Sequence, residues 1–155
     1  MIKQTTRILA ALLLILLLHS GCAAGQVSPE AGKVIAGERA PVVKELVKST
    51  QSWNGELLPA YPQGQPEITI LRISIPAGTK LDTHSHPVIN AGVLISGQLT
   101  VMTADGKTLH LKAGAPIVEV VNTLHYAINQ GKVPAEIIVF YAGAAGTPIT
   151  VVKQR

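Results

Sequence analysis

Residues 78–97, GTKLDTHSHPVINAGVLISG, contain the most informative spacing in the sequence. His84 and His86 are two positions apart, so on a β-strand both side chains leave the same face. Two imidazoles on one face inside a barrel suit a divalent first-row metal, which accepts neutral nitrogen ligands at about 2.0–2.2 Å. His125 begins a later candidate strand, HYAIN, and a nitrogen from that strand would close the set. The segment therefore predicts a metal site on a β-scaffold.

Outward from this stretch, apolar residues alternate at period two between turn signals, and no segment keeps helical periodicity over ten residues. The clearest case is PEITILRISIPAG, residues 66–78, in which Leu71, Ile73 and Ile75 line one face. Further candidate strands are VVKELVKS (42–49), AGVLIS (91–96), LTVMTA (99–104), KTLHLK (107–112), PIVEVV (116–121), AEIIVFYA (135–142) and TPITVV (147–152). Many short strands at this spacing predict an all-β sandwich or barrel.

The strongest hairpin signal is the pair Asp105 and Gly106, between LTVMTA and KTLHLK. Asp-Gly is typical of a type I′ turn, because both central residues of that turn need positive φ. We therefore expect these two strands to pair directly through a two-residue loop.

Two motifs in this region resemble those of the cupin superfamily. The first is residues 78–97, in which the family usually has Glu where this sequence has Asn90. The second is GAPIVEVVNTLHYAIN, residues 114–129, with Val120 and Asn122 in place of the usual Pro and second Gly. With the strand pattern, the resemblance extends from about residue 41 to 152. It implies a double-stranded β-helix, a small jelly-roll barrel.

By this resemblance, His84, His86 and His125 match the three metal-binding histidines of the family, and Asn90 occupies its carboxylate position. An amide oxygen can coordinate a metal, but it is neutral and weaker than a carboxylate. We therefore expect a divalent transition metal, which nitrogen and amide ligands allow to be Fe, Mn, Ni, Zn or Cu. A bound ion that keeps its full charge should favour anionic ligands.

Glu119 interrupts the apolar strand PIVEVV shortly before His125. If it points inward, it is a candidate catalytic base, a replacement carboxylate ligand or a residue that orients a ligand histidine. Alternation could equally turn it outward, between Val118 and Val120. Trp53 and Tyr61 could line the barrel mouth, although a loop-packing role is expected for both.

The N-terminal residues 1–21 are typical of a secretory signal peptide. Lys3 and Arg7 precede an apolar run from residue 8 to 18, and its 11 residues are too short to span a bilayer of about 30 Å. Cys22 follows directly, so the region resembles a bacterial lipoprotein signal with Cys22 as the lipidated residue. The alternative is a simply cleaved signal that leaves a free periplasmic or secreted protein. Residues 22–40 predict a flexible tether, and 41–155 the barrel domain.

The net charge and the absence of several motifs exclude some classes of function. Without Lys3 and Arg7 the chain has 11 basic and 9 acidic residues, a net charge of +2, which argues against a nucleic-acid partner. Gly-rich phosphate loops, Ser nucleophile elbows and Cys pairs are absent from the sequence. We expect a metal-binding cell-envelope protein facing the periplasm. One hypothesis for its activity is dioxygenase-like oxidoreductase chemistry on a small molecule, and the alternative hypothesis is a noncatalytic metal- or ligand-binding module. The resemblance also favours a homodimer.

Overall fold

The computed structural model describes residues 40–154, and within this range the chain forms β-strands and no helix. The predicted signal peptide, tether and lipidated Cys22 lie outside the described residues, except for the last tether position, so these predictions stay predictions. The strands are β1 (Pro66–Ile75), β2 (His84–Ser85), β3 (Ile89–Ser96), β4 (Gln98–Thr103), β5 (Thr108–Lys112), β6 (Pro116–Val118), β7 (His125–Ile128), β8 (Ala135–Ala144) and β9 (Val151–Val152). None of the described segments is a helix that could cross a bilayer.

The strands of residues 40–154 form two antiparallel sheets, in the orders β1-β8-β3-β6 and β5-β4-β7-β2-β9. Their inner faces enclose a core that includes Ile75, Leu94, Val101, Ile137 and Tyr141. This is the predicted all-β double-stranded β-helix, and the fold prediction is confirmed.

Strand β1 shows how the sequence selects the inner face. Leu71 and Ile73 are partly buried against the core and Ile75 is buried, whereas Ile68 and Ile70 are exposed. All ten residues of β1 pair with β8, which fixes this register along the full strand. The predicted period-two alternation is therefore correct.

Two local predictions were wrong. Residues 42–49 form no strand, and Val42 and Val43 are 95% and 90% exposed, because no described strand pairs with this segment. The β4–β5 hairpin forms, but its turn is not type I′: Gly106 has a φ of 91°, whereas Asp105 does not have a positive φ. The Gly106 amide donates to the Thr103 carbonyl, as in a type I turn followed by a left-handed residue.

Asn122, which stands in place of the second glycine of the second motif, adopts the left-handed backbone conformation that favours glycine. Asn122 has a φ of 54°, the one positive φ at a non-glycine residue between positions 40 and 154. Asn tolerates the left-handed region better than most residues. Its amide donates to the carbonyl of His86, 2.8 Å away, so this turn ties β7 to the end of β2.

Candidate metal centre

The three predicted histidines meet at one point between the sheets. His84 on β2 is the cross-strand partner of His125 on β7, so their side chains lie side by side. His86 follows two residues later and leaves the same face. The ring centroids lie 4.5–5.0 Å apart, and one ring nitrogen from each histidine lies within 4.8 Å of the others. These residues could together hold a metal ion.

Backbone carbonyls fix the orientation of all three rings. The Nδ1 atoms of His84, His86 and His125 lie 2.7, 2.7 and 2.9 Å from the carbonyl oxygens of Asp82, Ile149 and Thr123. A carbonyl oxygen only accepts, so each Nδ1 carries a proton, and in the neutral ring the free lone pair is on Nε2. Metal-binding histidines need this tautomer, and a carbonyl partner on the other nitrogen is their usual support.

Burial also keeps two of these rings neutral. Desolvation lowers the pKa of His86 from 6.5 to about 4, against the opposing effect of its hydrogen bond to Ile149. Desolvation likewise lowers the pKa of His84, and the neighbouring His125 adds to the effect. Near neutral pH both imidazoles are therefore uncharged, with Nε2 free to bind a metal.

Glu119 points inward and supplies a carboxylate beside Asn90. The Glu119 amide donates to the Asn90 carbonyl at 3.0 Å, which continues the β3–β6 ladder one residue past the Ala91–Val118 pair. Glu119 and Asn90 are 8% and 2% exposed. The Oε1 atom of Glu119 lies 4.0 Å from Nε2 of His125. The carboxylate thus comes from the residue that follows β6, opposite Asn90, where the resemblance expects a carboxylate.

A loop from the N-terminal part of the domain holds Glu119 in place. Nε1 of Trp53 donates to Oε1 of Glu119 at 2.8 Å, and the Val120 amide donates to the same oxygen at 2.9 Å. The hydroxyl of Ser52 donates to the Glu119 carbonyl at 2.9 Å, and the Trp53 amide donates to the Val118 carbonyl. Trp53 therefore does more than pack a loop, whereas Tyr61 is exposed, with 76% of its surface accessible.

Tyr141 packs behind the histidines, outside the cavity wall, and was not identified from the sequence. Its ring lies edge-on to His86 with centroids 5.4 Å apart, and it is the cross-strand partner of Asn90. Burial raises the pKa of its phenol, and the charge of Glu119 raises it further, so the phenol stays protonated. The inward alternation of Ile137, Val139 and Tyr141 on β8 was the available signal.

The histidines, Asn90 and Glu119 open into a small cavity of about 70 Å³. The rest of its wall is aliphatic, and includes Ile73, Ile75, Leu99, Val101, Ile137 and Val139. The site is therefore a polar cluster at one end of an apolar chamber.

All five predicted site residues of the barrel line this cavity, namely His84, His86, Asn90, Glu119 and His125. Their roles as ligands or catalytic groups stay predictions. His110 lies away from the site, exposed on β5 and hydrogen-bonded to Thr100 at 3.0 Å.

A family model described as the cupin domain matches residues 71–141, a range that contains all five of these residues. Together with the double-stranded β-helix fold, this match supports the cupin superfamily. No curated protein matches the chain.

Solved structures with the same fold include a chain from the DMSP lyases RdDddP and RnDddQII, which is 17% identical with a TM-score of 0.50. That match covers 56% of this chain and 44% of the lyase. An oxalate oxidase in complex with glycolate is 22% identical with a TM-score of 0.48, over 55% of this chain and 45% of that one. This chain thus spans less than half the length of both enzymes.

An uncharacterized conserved protein with a double-stranded β-helix domain from Klebsiella pneumoniae subsp. pneumoniae is 20% identical, with a TM-score of 0.48. The match covers 72% of this chain and the whole of that one. At these identities the likenesses bear on the fold alone.

Proposed function

We propose that this chain is a cell-envelope cupin-domain protein that binds one divalent transition metal through His84, His86 and His125. One observation carries the proposal: three Nδ1–H groups are tied to backbone carbonyls, so three Nε2 lone pairs converge on one buried point. Without a metal, three lone pairs would face each other with no donor between them. An ion at this point turns that repulsion into coordination.

Glu119 supplies the negative charge beside the ion in this proposal, and Asn90 stays the candidate for a fourth ligand. Oε1 of Glu119 lies 4.0 Å from Nε2 of His125, but the donor atoms that lie within 4.8 Å of one another come from the three histidines. Oε1 also accepts hydrogen bonds from Trp53 Nε1 and the Val120 amide, which occupy its lone pairs. Glu119 therefore offsets part of the charge of the ion from a position next to the histidines.

The activity we propose is oxidoreductase chemistry of the dioxygenase type on a small molecule. A redox-active ion held there would supply Lewis acidity and electron transfer. The chain's residues would orient the ligand, exclude water through the aliphatic wall, and keep the phenol of Tyr141 protonated beside His86.

A noncatalytic binding module is the second candidate, and the surroundings of Glu119 favour it. Within residues 40–154, Glu119 is the one carboxylate that lines the cavity, and Oε1 already accepts two hydrogen bonds. These two donors occupy the lone pairs of Oε1 and leave this oxygen none with which to take a proton from a ligand. A site that binds a metal and a ligand without turnover agrees with this arrangement.

The two candidates separate in one experiment. Purified protein is titrated with Fe²⁺ or Mn²⁺, and metal binding is followed by the fluorescence of Trp53, the chain's one tryptophan. Oxygen uptake is then followed in the presence of small-molecule candidates. Quenching with oxygen uptake supports the oxidoreductase, and quenching without uptake supports the binding module. Equal quenching in His125→Ala and the matched His110→Ala would contradict the metal site.

The envelope location rests on the N-terminal sequence. Lys3, Arg7 and the apolar run before Cys22 support export, followed by lipidation of Cys22 and a periplasm-facing lipoprotein. Expression in a bacterium with labelled fatty acid tests this. We expect label in the membrane fraction for the wild type and none for Cys22→Ser. A soluble, unlabelled wild-type protein would favour the simply cleaved signal.

The proposal includes a homodimer formed through the outer face of the β1-β8-β3-β6 sheet. Ile70 and Phe140 are cross-strand partners on that face and are 58% and 49% exposed, and Ile68 beside them is 63% exposed. Exposed apolar clusters of this kind favour association. Light scattering should give twice the chain mass for the wild type and the chain mass for Ile70→Lys. A monomeric wild type would contradict the dimer.

A further inference from the structure

The cavity beside the histidines limits the size of any ligand, and this inference rests on the proposed metal site. Its volume is about 70 Å³, by the measure in which one water fills about 10–15 Å³. It therefore has room for roughly five to seven non-hydrogen atoms. A sugar, a nucleotide or an aromatic amino acid could not be enclosed whole in such a space.

The composition of the wall limits the polarity of the ligand. Beyond the histidines, Asn90 and Glu119, the described wall is built from Ile, Leu, Val and Ala side chains, without Lys, Arg, Ser, Thr or Tyr. Asn90 is the neutral amide of the set, and its Nδ2 donates to the Val88 carbonyl over a long 3.4 Å. A polar group at the far end of a ligand would lose its hydrogen bonds to water and gain none.

The charge at the polar end limits the ligand to a single anionic group. A divalent ion held by three neutral imidazoles beside the carboxylate of Glu119, which lines the same cavity, leaves one positive charge unbalanced. One anionic head placed against the ion makes the buried site neutral. A second anionic group would lie unpaired against the aliphatic wall, where an isolated charge is strongly unfavourable.

We infer that the site takes a short-chain aliphatic monoanion, with its one anionic head at the metal and its alkyl group in the chamber formed by Ile73, Leu99, Val101, Ile137 and Val139. In terms of a monocarboxylate, five to seven non-hydrogen atoms correspond to propionate, butyrate and pentanoate. Dicarboxylates and hydroxy acids of the same size would fit the volume of the cavity, but the aliphatic wall offers no partner for their second polar group.

The test uses the purified full chain loaded with Co²⁺, whose visible absorption reports metal and ligand binding separately. Acetate, propionate, butyrate, pentanoate and octanoate are titrated as probes. Each added CH₂ is expected to tighten binding about four-fold while the chamber has room, and octanoate should bind at least ten-fold more weakly than the best probe. 4-Hydroxybutyrate, which matches pentanoate in atom count, and succinate should each bind at least ten-fold more weakly than pentanoate.

A pair of matched variants on β8 tests the chamber itself. Ile137→Val removes one methylene from the wall and should shift the best-binding chain to a longer carboxylate. Ile138→Val makes the same change at the adjacent position, which does not line the cavity, and should leave the order of probes unchanged.

The outcomes separate this inference from the proposed function. If Co²⁺ binds but succinate or 4-hydroxybutyrate equals pentanoate, or if chain length has no effect, the ligand class is overturned and the metal site stands. If both variants shift the chain-length order equally, the chamber is wrongly identified. If Co²⁺ does not bind, the metal site fails, and the ligand class fails with it.

Discussion

Replacing Trp53 by Phe tests whether a loop residue sets the strength of the metal site. The substitution keeps an aromatic ring but removes the Nε1 donor that lies 2.8 Å from Oε1 of Glu119. A hydrogen bond to a charged group is worth about 1.5–3 kcal/mol, or roughly 10- to 150-fold in an equilibrium constant. Loss of an outer residue that orders the groups around a metal typically costs about 10- to 100-fold in affinity. We therefore expect the Kd for Zn²⁺ to rise by about 10- to 100-fold in Trp53→Phe.

The assay is competition with a chelator of known affinity, at neutral pH, with the free energy of unfolding measured alongside. Ser52→Ala is the matched control, because the Ser52 hydroxyl donates to the Glu119 backbone carbonyl in the same loop and does not touch the carboxylate. Ser52→Ala should reduce stability with little effect on the Kd. Equal losses of affinity in both variants, or an unchanged Kd in Trp53→Phe, would refute the reasoning that the tryptophan acts through the carboxylate.

Metal-free protein should lose stability as the pH falls from about 6.5 to 4, because unfolded His86 takes up a proton near 6.5 and folded His86 only near 4. This difference in pKa corresponds to about 3 kcal/mol of unfolding free energy, measured by urea unfolding with chelator present. The same dependence of unfolding free energy on pH in His86→Gln would contradict it. Gly97→Ala should cost about 3 kcal/mol, because a Cβ there would lie 2.7 Å from the Pro134 carbonyl oxygen at a φ of 76°. Gly78→Ala, at a φ of 75° with no atom within 4 Å, should cost only about 1 kcal/mol, and equal losses of denaturation free energy would show that φ alone matters.

Periodicity was enough to predict the faces of the long strands. Ile73 and Ile75 alternate with polar residues along β1, and the full pairing of β1 with β8 keeps that alternation in register. The strand prediction failed for residues 42–49, in which the apolar residues come in adjacent pairs rather than in alternation, and which find no strand to pair with among those described. Strand formation depends on a partner, and a local pattern does not contain that information.

The histidines and Glu119 illustrate the same limit at the site. The spacing of His84 and His86 predicts a shared face directly, and their motif leads to His125. The direction of Glu119 was left open because the register of PIVEVV could not be fixed from the sequence, and the Trp53 donor that holds its carboxylate lies more than 60 positions away in the chain. Such contacts follow from the tertiary fold and leave no local trace in the sequence.

The most direct test of the central claim is metal content by elemental mass spectrometry, on protein purified without chelator. The wild type is compared with a His84→Ala, His125→Ala double variant and with His110→Ala, which removes a histidine outside the site. We expect about one metal ion per chain in the wild type and in His110→Ala, and almost none in the double variant. No bound metal in any of the three, even after addition of Fe²⁺, Mn²⁺ or Zn²⁺, would contradict it.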